Sequence, residues 1–564
     1  MNKASRIVRS PAVLGLLPAA FCIFSGVIDR LYLDIDSFLV SMTVSGLYGS
    51  NAVCPVVHPL LAILLGWLAP LAPAVDWFTL ISRVLVALTA WWLGVLIAWC
   101  ADTLPKRLGC VVFFSILLFR FPLFNANYTV HCAFFALADV STLLLALRRP
   151  MPRFSVFWGA FFLCLSLLWR PEGAALALPF LALDLAVLFL RRAVPLSTVK
   201  KVLLPTLLPA LLLVVFSAVL PVVSPSYAAG KAYSDARRSY VDYPKRPWAE
   251  VSEEVTALGL SENDYDTLSG SILMDTDIAT MPTLQALSSI ARERGFSFSA
   301  DTLHTLGQDF TTAFSTLQLK VFALLTGMLL LAVCLSGSPL LHKIEAVLAV
   351  LGALLITLYY LYRGRLPERL FVAVFLMQFS VLLPLFLAAP PPRRFSTHRF
   401  WKVFCALAAC CLCLLLIKNR HNYHVTQLAV AAGTSVSDDA EQLPADTPDT
   451  VYLWDSMSLA LYMTEHYMMP GRLPSTAFAQ QNLAWGEWNT SGQPFYQALL
   501  AKLNLDNPMQ CLLTRPNTYL VVKDAARIEA WLQEHYDPAA ALQQVGTVDV
   551  YAVGPVPVWQ AVTG

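Results

Sequence analysis

The sequence predicts a polytopic α-helical membrane protein that ends in a small α/β domain. Of its 564 residues, 57% are hydrophobic and 13% are charged, whereas about a quarter of the residues of a soluble globular protein are charged. Apolar runs of roughly 20 residues, the length that crosses a bilayer, recur along the chain. The formal net charge of +2 does not indicate a nucleic-acid partner, and none is predicted.

About eleven transmembrane helices are predicted, with the N-terminus in the cytoplasm and the C-terminal domain outside. Lys and Arg collect in short cytoplasmic loops, and six basic clusters of this chain fall on one side if the apolar stretch 58–73 does not cross. These clusters lie at residues 3–9, 106–107, 148–153, 191–201, 342–343 and 393–402. That stretch is therefore predicted to be a helix on the outer surface. The predicted spans are residues 11–28, 78–100, 109–124, 130–147, 154–170, 173–190, 202–223, 317–337, 344–362, 370–389 and 401–417.

Two domains follow from this topology. Residues 1–417 form the predicted membrane domain, which includes an outer loop at 29–77 and a mostly helical outer loop at 224–316. Residues 418–564 form the predicted extracytoplasmic α/β domain. The patterns behind this are a capping box in "SEND", strands in "TVYLWD" and "TYLVV", a helix in "AARIEAWLQEHY" and a closing hairpin in "LQQVGTVDVYAV".

An acidic pair, Asp34 and Asp36, follows directly after the first apolar run. Carboxylates are common where a helix leaves the membrane, so the pair is explained equally well as a solvated boundary. In an extended or irregular segment the same spacing directs two carboxylates at one ligand, whereas a regular helix directs them apart. Placed beside a membrane surface, such a pair is a candidate catalytic site.

A cluster of arginines in "YRGRLPER" lies at an outer end of two predicted spans, against the charge rule. Its members are Arg363, Arg365 and Arg369. Either the loop is assigned to the wrong side, or the cluster binds phosphate. Arginine suits phosphate because its planar guanidinium makes bidentate contacts to phosphate oxygens.

Further candidates stand near span ends. Arg170 and Glu172 in "WRPEG" form either an interfacial salt bridge or a substrate contact. His58, before Pro59, is more typical of a helix start than of a ligand. Buried charges in spans, such as Asp139 and Asp184, are expensive, so they either pair or carry function.

The order of these features resembles the integral-membrane C-type glycosyltransferases, the GT-C fold. The resemblance rests on the acidic pair, the following "HPLLAILLGWL" helix and the early arginine, Arg83, of "FTLISRVLVAL". The chain is also similar to a group of bacterial envelope membrane proteins without an assigned activity. They share an "sG.YG" stretch, an "RGRLPER" turn and an α/β tail.

This resemblance implies a bacterial plasma-membrane enzyme that transfers a sugar from a polyprenyl-phosphate donor to a glycan or lipid-linked acceptor of the cell envelope. It implies that Asp34 or Asp36 is the base and that the other orients the acceptor or helps to hold a divalent metal, Mg²⁺ or Mn²⁺. The three arginines would receive the lipid phosphate. Three other functions stay open: a flippase for lipid-linked glycans, a polysaccharide polymerase or ligase, and a non-catalytic protein of envelope assembly.

Overall fold

The chain divides into two compact units, each built from separated stretches of sequence. The computed structural model describes residues 10–28, 35–49, 54–101, 104–120, 127–152, 154–192, 194–291, 300–314, 317–389, 410, 447, 449–466, 473–485, 492–550 and 553–563. Unit 1 comprises residues 1–30, 81–216 and 297–424. Unit 2 comprises residues 31–80, 217–296 and 425–564. The first predicted outer loop from residue 31 onward, and residues 224–296 of the second, thus belong to the compact unit that contains the C-terminal tail, whereas residues 297–316 belong to unit 1.

Unit 1 is a bundle of apolar helices. In chain order they are α1 (Pro11–Ile28), the greater part of α4 (Trp77–Cys100), α5 (Leu104–Arg120), α6 (Tyr128–Arg148), α7 (Phe154–Trp169), α8 (Pro171–Ala175), α9 (Leu178–Leu190), most of α10 (Leu196–Val223), α15 (Ala300–Ala313), α16 (Leu317–Leu335), α17 (Leu340–Tyr362) and α18 (Glu368–Ala388). Among the described residues, six apolar helical segments, with α8 and α9 taken together, have the length and composition to cross a membrane, and several shorter apolar helices accompany them.

The hydropathy pattern located these helices well. Every predicted span except 401–417 coincides with an apolar helix, and the predicted 173–190 segment is interrupted between α8 and α9. The total of eleven crossings stays a prediction, because several helices are shorter than a bilayer requires and the span at 401–417 lies outside the described residues apart from Cys410.

Helix α6 forms the centre of unit 1, since 94% of its apolar stretch is buried. Its last residue, Arg148, makes an ion pair with Asp184 of α9 and another, at 2.6 Å, with Glu345 of α17. The side chains of both carboxylates are completely buried. One guanidinium therefore joins three helices that lie far apart in the sequence.

Unit 2 begins with two short helices from the first predicted outer loop, α2 (Ile35–Val44) and α3 (Pro59–Leu68). At 1.5 Å per residue, the ten residues of α3 extend about 15 Å, half the thickness of a bilayer core. Helix α3 is therefore shorter than a membrane-spanning helix, and its position on the outer surface stays a prediction. Its apolar side chains Leu64 and Trp67 are 40% and 69% exposed.

The second predicted outer loop is helical, as expected. Four of its helices lie in unit 2, namely α11 (Pro225–Val241), α12 (Trp248–Thr256), α13 (Glu262–Ser269) and α14 (Met281–Ala291). A fifth helix, α15, lies in unit 1. The capping box expected in "SEND" is present: Ser261 and Asp264 each bond the other's backbone amide, so both donors at the start of α13 are satisfied.

The tail forms a five-stranded sheet in the order β2-β1-β3-β5-β4, with the first three strands parallel. The strands are β1 (Val451–Asp455), β2 (Asn482–Trp485), β3 (Thr518–Val521), β4 (Ala541–Val550) and β5 (Gly554–Val562). The helices between them are α19 (Ser456–His466), α20 (Thr476–Gln481), α21 (Pro494–Lys502), α22 (Pro508–Thr514) and α23 (Ala526–His535).

Sequence patterns predicted β1, β3, α23 and the closing hairpin, but two details differ. The hairpin is formed by β4 and β5, and "LQQVGTVDV" belongs to one strand, because the irregularity at Gln544–Gly546 is a bulge and not the turn. Strand β2 was missed because its four residues follow α20 directly, without a turn signal between them.

Candidate functional site

Asp36 lies in the first turn of α2, where a carboxylate is favoured by the positive end of the helix dipole. The side chain is half-buried. Burial raises the pKa of the neighbouring Cys54 thiol to about 12. Backbone hydrogen bonds oppose this rise, and the charge of Asp36 adds to it. Asp34 lies outside the described residues. The acidic position that is described therefore stands on a helix, at the edge of a buried environment.

A third acidic residue of this loop, Asp76, was missed by the sequence reasoning. It is fully buried, accepts a hydrogen bond of 2.9 Å from the Ser41 hydroxyl and another of 3.0 Å from the Thr79 amide. Asp76 thus satisfies the start of α4 and holds α2 beside it. The signal in the sequence was a helix-capping Asp three residues before Thr79.

His58 is the N-cap of α3, where its Nδ1 accepts a hydrogen bond of 3.2 Å from the Leu60 amide. The ring is only 2% exposed. This is the helix-start role that the sequence favoured, and it commits one ring nitrogen to the backbone.

The arginine turn, residues 363–369, connects α17 to α18 within unit 1. Gly364 has φ +65 and follows the last residues of α17. The Gly364 amide bonds the Leu361 carbonyl at 2.8 Å and the Arg365 amide bonds the Tyr360 carbonyl at 3.0 Å, the pair of bonds that defines a Schellman motif. The half-buried Arg363 and Arg365 flank this glycine, and Arg369 stands in the first turn of α18.

A cavity of about 340 Å³ lies among the helices of unit 1. Its walls come from α4, α5, α6, α16 and α18 and are almost entirely aromatic and aliphatic. The lining includes Phe113, Phe134, Phe322, Leu376, Phe379 and Phe386. A wall of this chemistry suits a hydrocarbon chain, since it offers no group to bind a polar ligand. No motif in the sequence indicated this cavity, because its lining residues come from five separate helices.

Arg170 makes closer contacts with the first residues of α6 than with Glu172, its near neighbour in the sequence. Its guanidinium donates to the Thr129 hydroxyl at 2.7 Å and lies 5.4 Å from the centre of the Tyr128 ring. The distance to the carboxylate of Glu172, an exposed residue, is 3.9 Å. The predicted salt bridge is therefore present but long. Arg83 is half-buried in α4, and its Nε has no hydrogen-bond partner among the residues that the structure describes.

The metal predicted at Asp34 and Asp36 has one described ligand, Asp36. A hard cation such as Mg²⁺ takes several oxygen ligands, so one carboxylate does not complete a site. Asp76, the other described carboxylate of this loop, already accepts hydrogen bonds from Ser41 and Thr79. Within the described ranges, the group of three metal-ligating side chains that does approach one point is Asp264, Glu534 and His535. The metal at the acidic pair stays a prediction.

The sequence-predicted site residues fall into both units. Asp36 and His58 belong to unit 2, whereas the arginine turn, Arg83, Arg170 and Glu172 belong to unit 1. Their meeting at one reacting centre stays a prediction.

No family model matches the chain, and no curated protein matches it. Among solved structures, a crystal structure of ArnT from Cupriavidus metallidurans bound to undecaprenyl phosphate is similar, with a TM-score of 0.37 and 13% sequence identity. The similarity covers 96% of this chain and 97% of that chain. No residue role is transferred from it.

Proposed function

We propose that this protein is a GT-C-type membrane glycosyltransferase, which transfers a sugar from a polyprenyl-phosphate donor to a cell-envelope acceptor at the outer face of the membrane. The observation that carries the proposal is the position of the arginine turn at the start of α18, whose later turns line the apolar cavity. Arg369 precedes the first lining residue of that helix, Leu376, by seven positions, or about 10 Å.

This arrangement suits a lipid phosphate. Guanidinium groups bind the phosphate oxygens, and the hydrocarbon chain follows α18 into the cavity. That chain comes from lipid, which is as apolar as the cavity wall, so the cavity binds it by close packing and not by removing hydrocarbon from water. A free sugar nucleotide would not use the apolar wall.

The chemistry follows from the same groups. Asp34 or Asp36 takes the proton of the acceptor hydroxyl group while the oxygen of that hydroxyl group attacks the anomeric carbon of the donor sugar. The bond from that carbon to the phosphate oxygen breaks, and the lipid phosphate leaves with the electron pair, so the configuration is inverted. The arginines stabilise the charge that grows on the leaving phosphate. Mg²⁺ or Mn²⁺ at the acidic pair would supply further stabilisation of an anion.

The test is a transfer assay in proteoliposomes with a polyprenyl-phosphate sugar. Asp34→Asn and Asp36→Asn are made singly. Whichever of the two replaces the catalytic base is expected to lower turnover by at least about 100-fold. Arg369→Gln is expected to raise the KM for the donor, whereas the exposed Arg527→Gln serves as a charge-matched control. Unchanged transfer in both aspartate variants would refute the proposal.

A flippase for lipid-linked glycans is the second candidate, and one observation favours it. Asp139 lies halfway along the central helix α6, is 2% exposed, and its Oδ1 has no hydrogen-bond partner in the described part of the chain. Carboxylates in this position mark substrate or proton pathways in transporters. Asp139→Asn would then abolish movement of a fluorescent lipid-linked glycan across vesicles, while Asp36→Asn would leave that movement unchanged.

A further inference from the structure

The segment Ser45–Gly49, the "SGLYG" stretch, follows α2 directly and is shaped by two glycines. Gly46 has φ +72 and Gly49 has φ +137, in the region of backbone space that favours glycine. The chain therefore turns sharply just beyond the helix that carries Asp36. Nothing in the proposed reaction uses this segment.

The C-terminal α/β domain holds this segment from two of its helices. The side-chain amide of Gln480, in α20, donates a hydrogen bond of 3.2 Å to the Leu47 carbonyl. The ring of Tyr48 is fully buried and meets the ring of Tyr496, in α21, edge to face at 6.0 Å between centres. One contact is polar and the other apolar, so together they fix both position and orientation.

The same domain holds the loop at its other end and along α2. The Leu473 amide donates a hydrogen bond of 2.9 Å to the Ala74 carbonyl, two residues before Asp76. Helix α19, which follows β1, packs against α2 itself. The segment from Asp36 to Asp76 is thus supported by residues more than 350 positions later in the chain.

This support meets a physical need. Helices α2 and α3 have ten residues each, fewer than the roughly 12–15 that an isolated helix needs to be even marginally stable in water. A catalytic group must nevertheless be held to within about 0.5 Å of its working position. The short helices need a packed neighbour to meet that demand, and the C-terminal domain contacts both α2 and the "SGLYG" stretch that follows it.

We propose that the C-terminal α/β domain is a positioning module for the acidic helix, and that Gln480 and Tyr496 hold "SGLYG" so that Asp36 is fixed in its working position. This role rests on the proposed glycosyltransferase function. Gln480 and Tyr496 are positioning residues, because they act on the reaction through α2.

The test compares Gln480→Glu with Gln481→Glu. The first variant replaces the amide donor to Leu47 with an acceptor and keeps an oxygen for Lys502, which now contacts Gln480 at 3.2 Å. The second adds the same charge to the next position of α20, where the amide bonds the exposed Thr447 carbonyl at 3.1 Å. The two variants therefore differ in contact with the loop and not in charge.

Two readouts separate positioning from binding. The first is the split between kcat and KM for transfer from the polyprenyl-phosphate donor by the full chain in vesicles. The second is alkylation of Cys54, measured by mass spectrometry of its peptide. Cys54 is completely buried beside Asp36 and has a raised pKa, so it reacts with maleimide only when the loop opens.

Gln480→Glu is expected to lower kcat about tenfold, to leave the KM for the donor within twofold, and to accelerate Cys54 alkylation. Gln481→Glu is expected to change none of the three. Faster alkylation with an unchanged kcat would refute positioning, and unchanged alkylation in Gln480→Glu would refute the contact itself. If the unmodified chain transfers no sugar, the proposed function fails, and the Cys54 measurement then decides by itself whether the domain holds the loop.

Discussion

The indole nitrogen of Trp531 donates a hydrogen bond of 2.9 Å to the buried carboxylate of Asp275. Trp531 belongs to the last helix of the tail, and Asp275 belongs to the second predicted outer loop. The same carboxylate accepts further bonds from two backbone amides, from the amide of Asn507 and from the hydroxyl of Tyr536. One side chain thereby joins two distant stretches of unit 2, and it does so with its acceptor positions filled.

Asp275→Asn is expected to destabilise unit 2 by on the order of 3 kcal/mol. The new amide would place hydrogens against donors that now share the carboxylate, which leaves buried groups unsatisfied. Asp277→Asn is the control, because Asp277 is exposed and accepts one bond from Asn507 among the contacts described. The apparent melting temperature in detergent measures both, and equal shifts would contradict this account of Asp275.

Tyr48 and Tyr496 are expected to respond differently to the loss of a hydroxyl group. The Tyr48 hydroxyl is buried without a hydrogen-bond partner in the described ranges, so Tyr48→Phe should keep the stability or raise it by up to about 1 kcal/mol. The Tyr496 hydroxyl donates to the Ala484 carbonyl at 2.9 Å, so Tyr496→Phe should cost about 1 kcal/mol. Burial raises the pKa of both phenols, and thermal unfolding at pH 7 therefore compares neutral side chains. A larger loss for Tyr48→Phe than for Tyr496→Phe would be contrary to the structure.

Two glycines of unit 1, one inside α17 and one just after its end, should change the stability in opposite directions when each is replaced by alanine. Gly364 has φ +65, where a Cβ is strained, so Gly364→Ala should destabilise by about 1–2 kcal/mol. Gly352 lies inside α17. Apart from the neighbouring backbone of its own helix, no heavy atom of the described residues lies within 4 Å of the point where an alanine methyl group would stand. Gly352→Ala should therefore stabilise by up to about 1 kcal/mol. Melting temperatures of the two variants in one detergent check the pair, and shifts of the same sign would reject the helix-ending role of Gly364.

Arg148→Gln is expected to be among the most damaging single changes in unit 1. It leaves the buried carboxylates of Asp184 and Glu345 without their shared guanidinium, a loss of about 3–5 kcal/mol. The neighbouring Arg149 donates to the carbonyls of Cys100 and Leu387, so Arg149→Gln should cost only about 1 kcal/mol.

The control for this prediction neutralises the carboxylates as well. Adding Asp184→Asn and Glu345→Gln to Arg148→Gln should restore much of the lost stability, because no uncompensated charge then remains buried. The fraction of protein that stays monodisperse after heating measures the series. No recovery in the triple variant would show that packing, and not charge, makes Arg148 necessary.

Local patterns in the sequence determined the helices and most strands. Hydropathy located the apolar helices because burial in lipid demands about 20 apolar residues in a row. The Ser261 capping box and the start of α3 at His58 were predicted correctly, since each depends on residues within a few positions of one another. The closing hairpin was predicted too early in the chain, because its predicted residues form one strand with an irregularity at Gln544–Gly546. Of the candidate site, the sequence predicted only separate motifs, such as the acidic pair and the arginine turn.

Only the tertiary structure decided which distant residues meet. No periodicity in the sequence indicated the partners of Arg148, the five helices that line the apolar cavity or the support of "SGLYG" by Gln480 and Tyr496. Each is a contact between residues tens to hundreds of positions apart, and its energy depends on distance and burial in the folded chain. The sequence therefore determined where helices form and which side chains could act as a base or bind phosphate. The folded chain decided which of those side chains are positioned by contacts with distant residues.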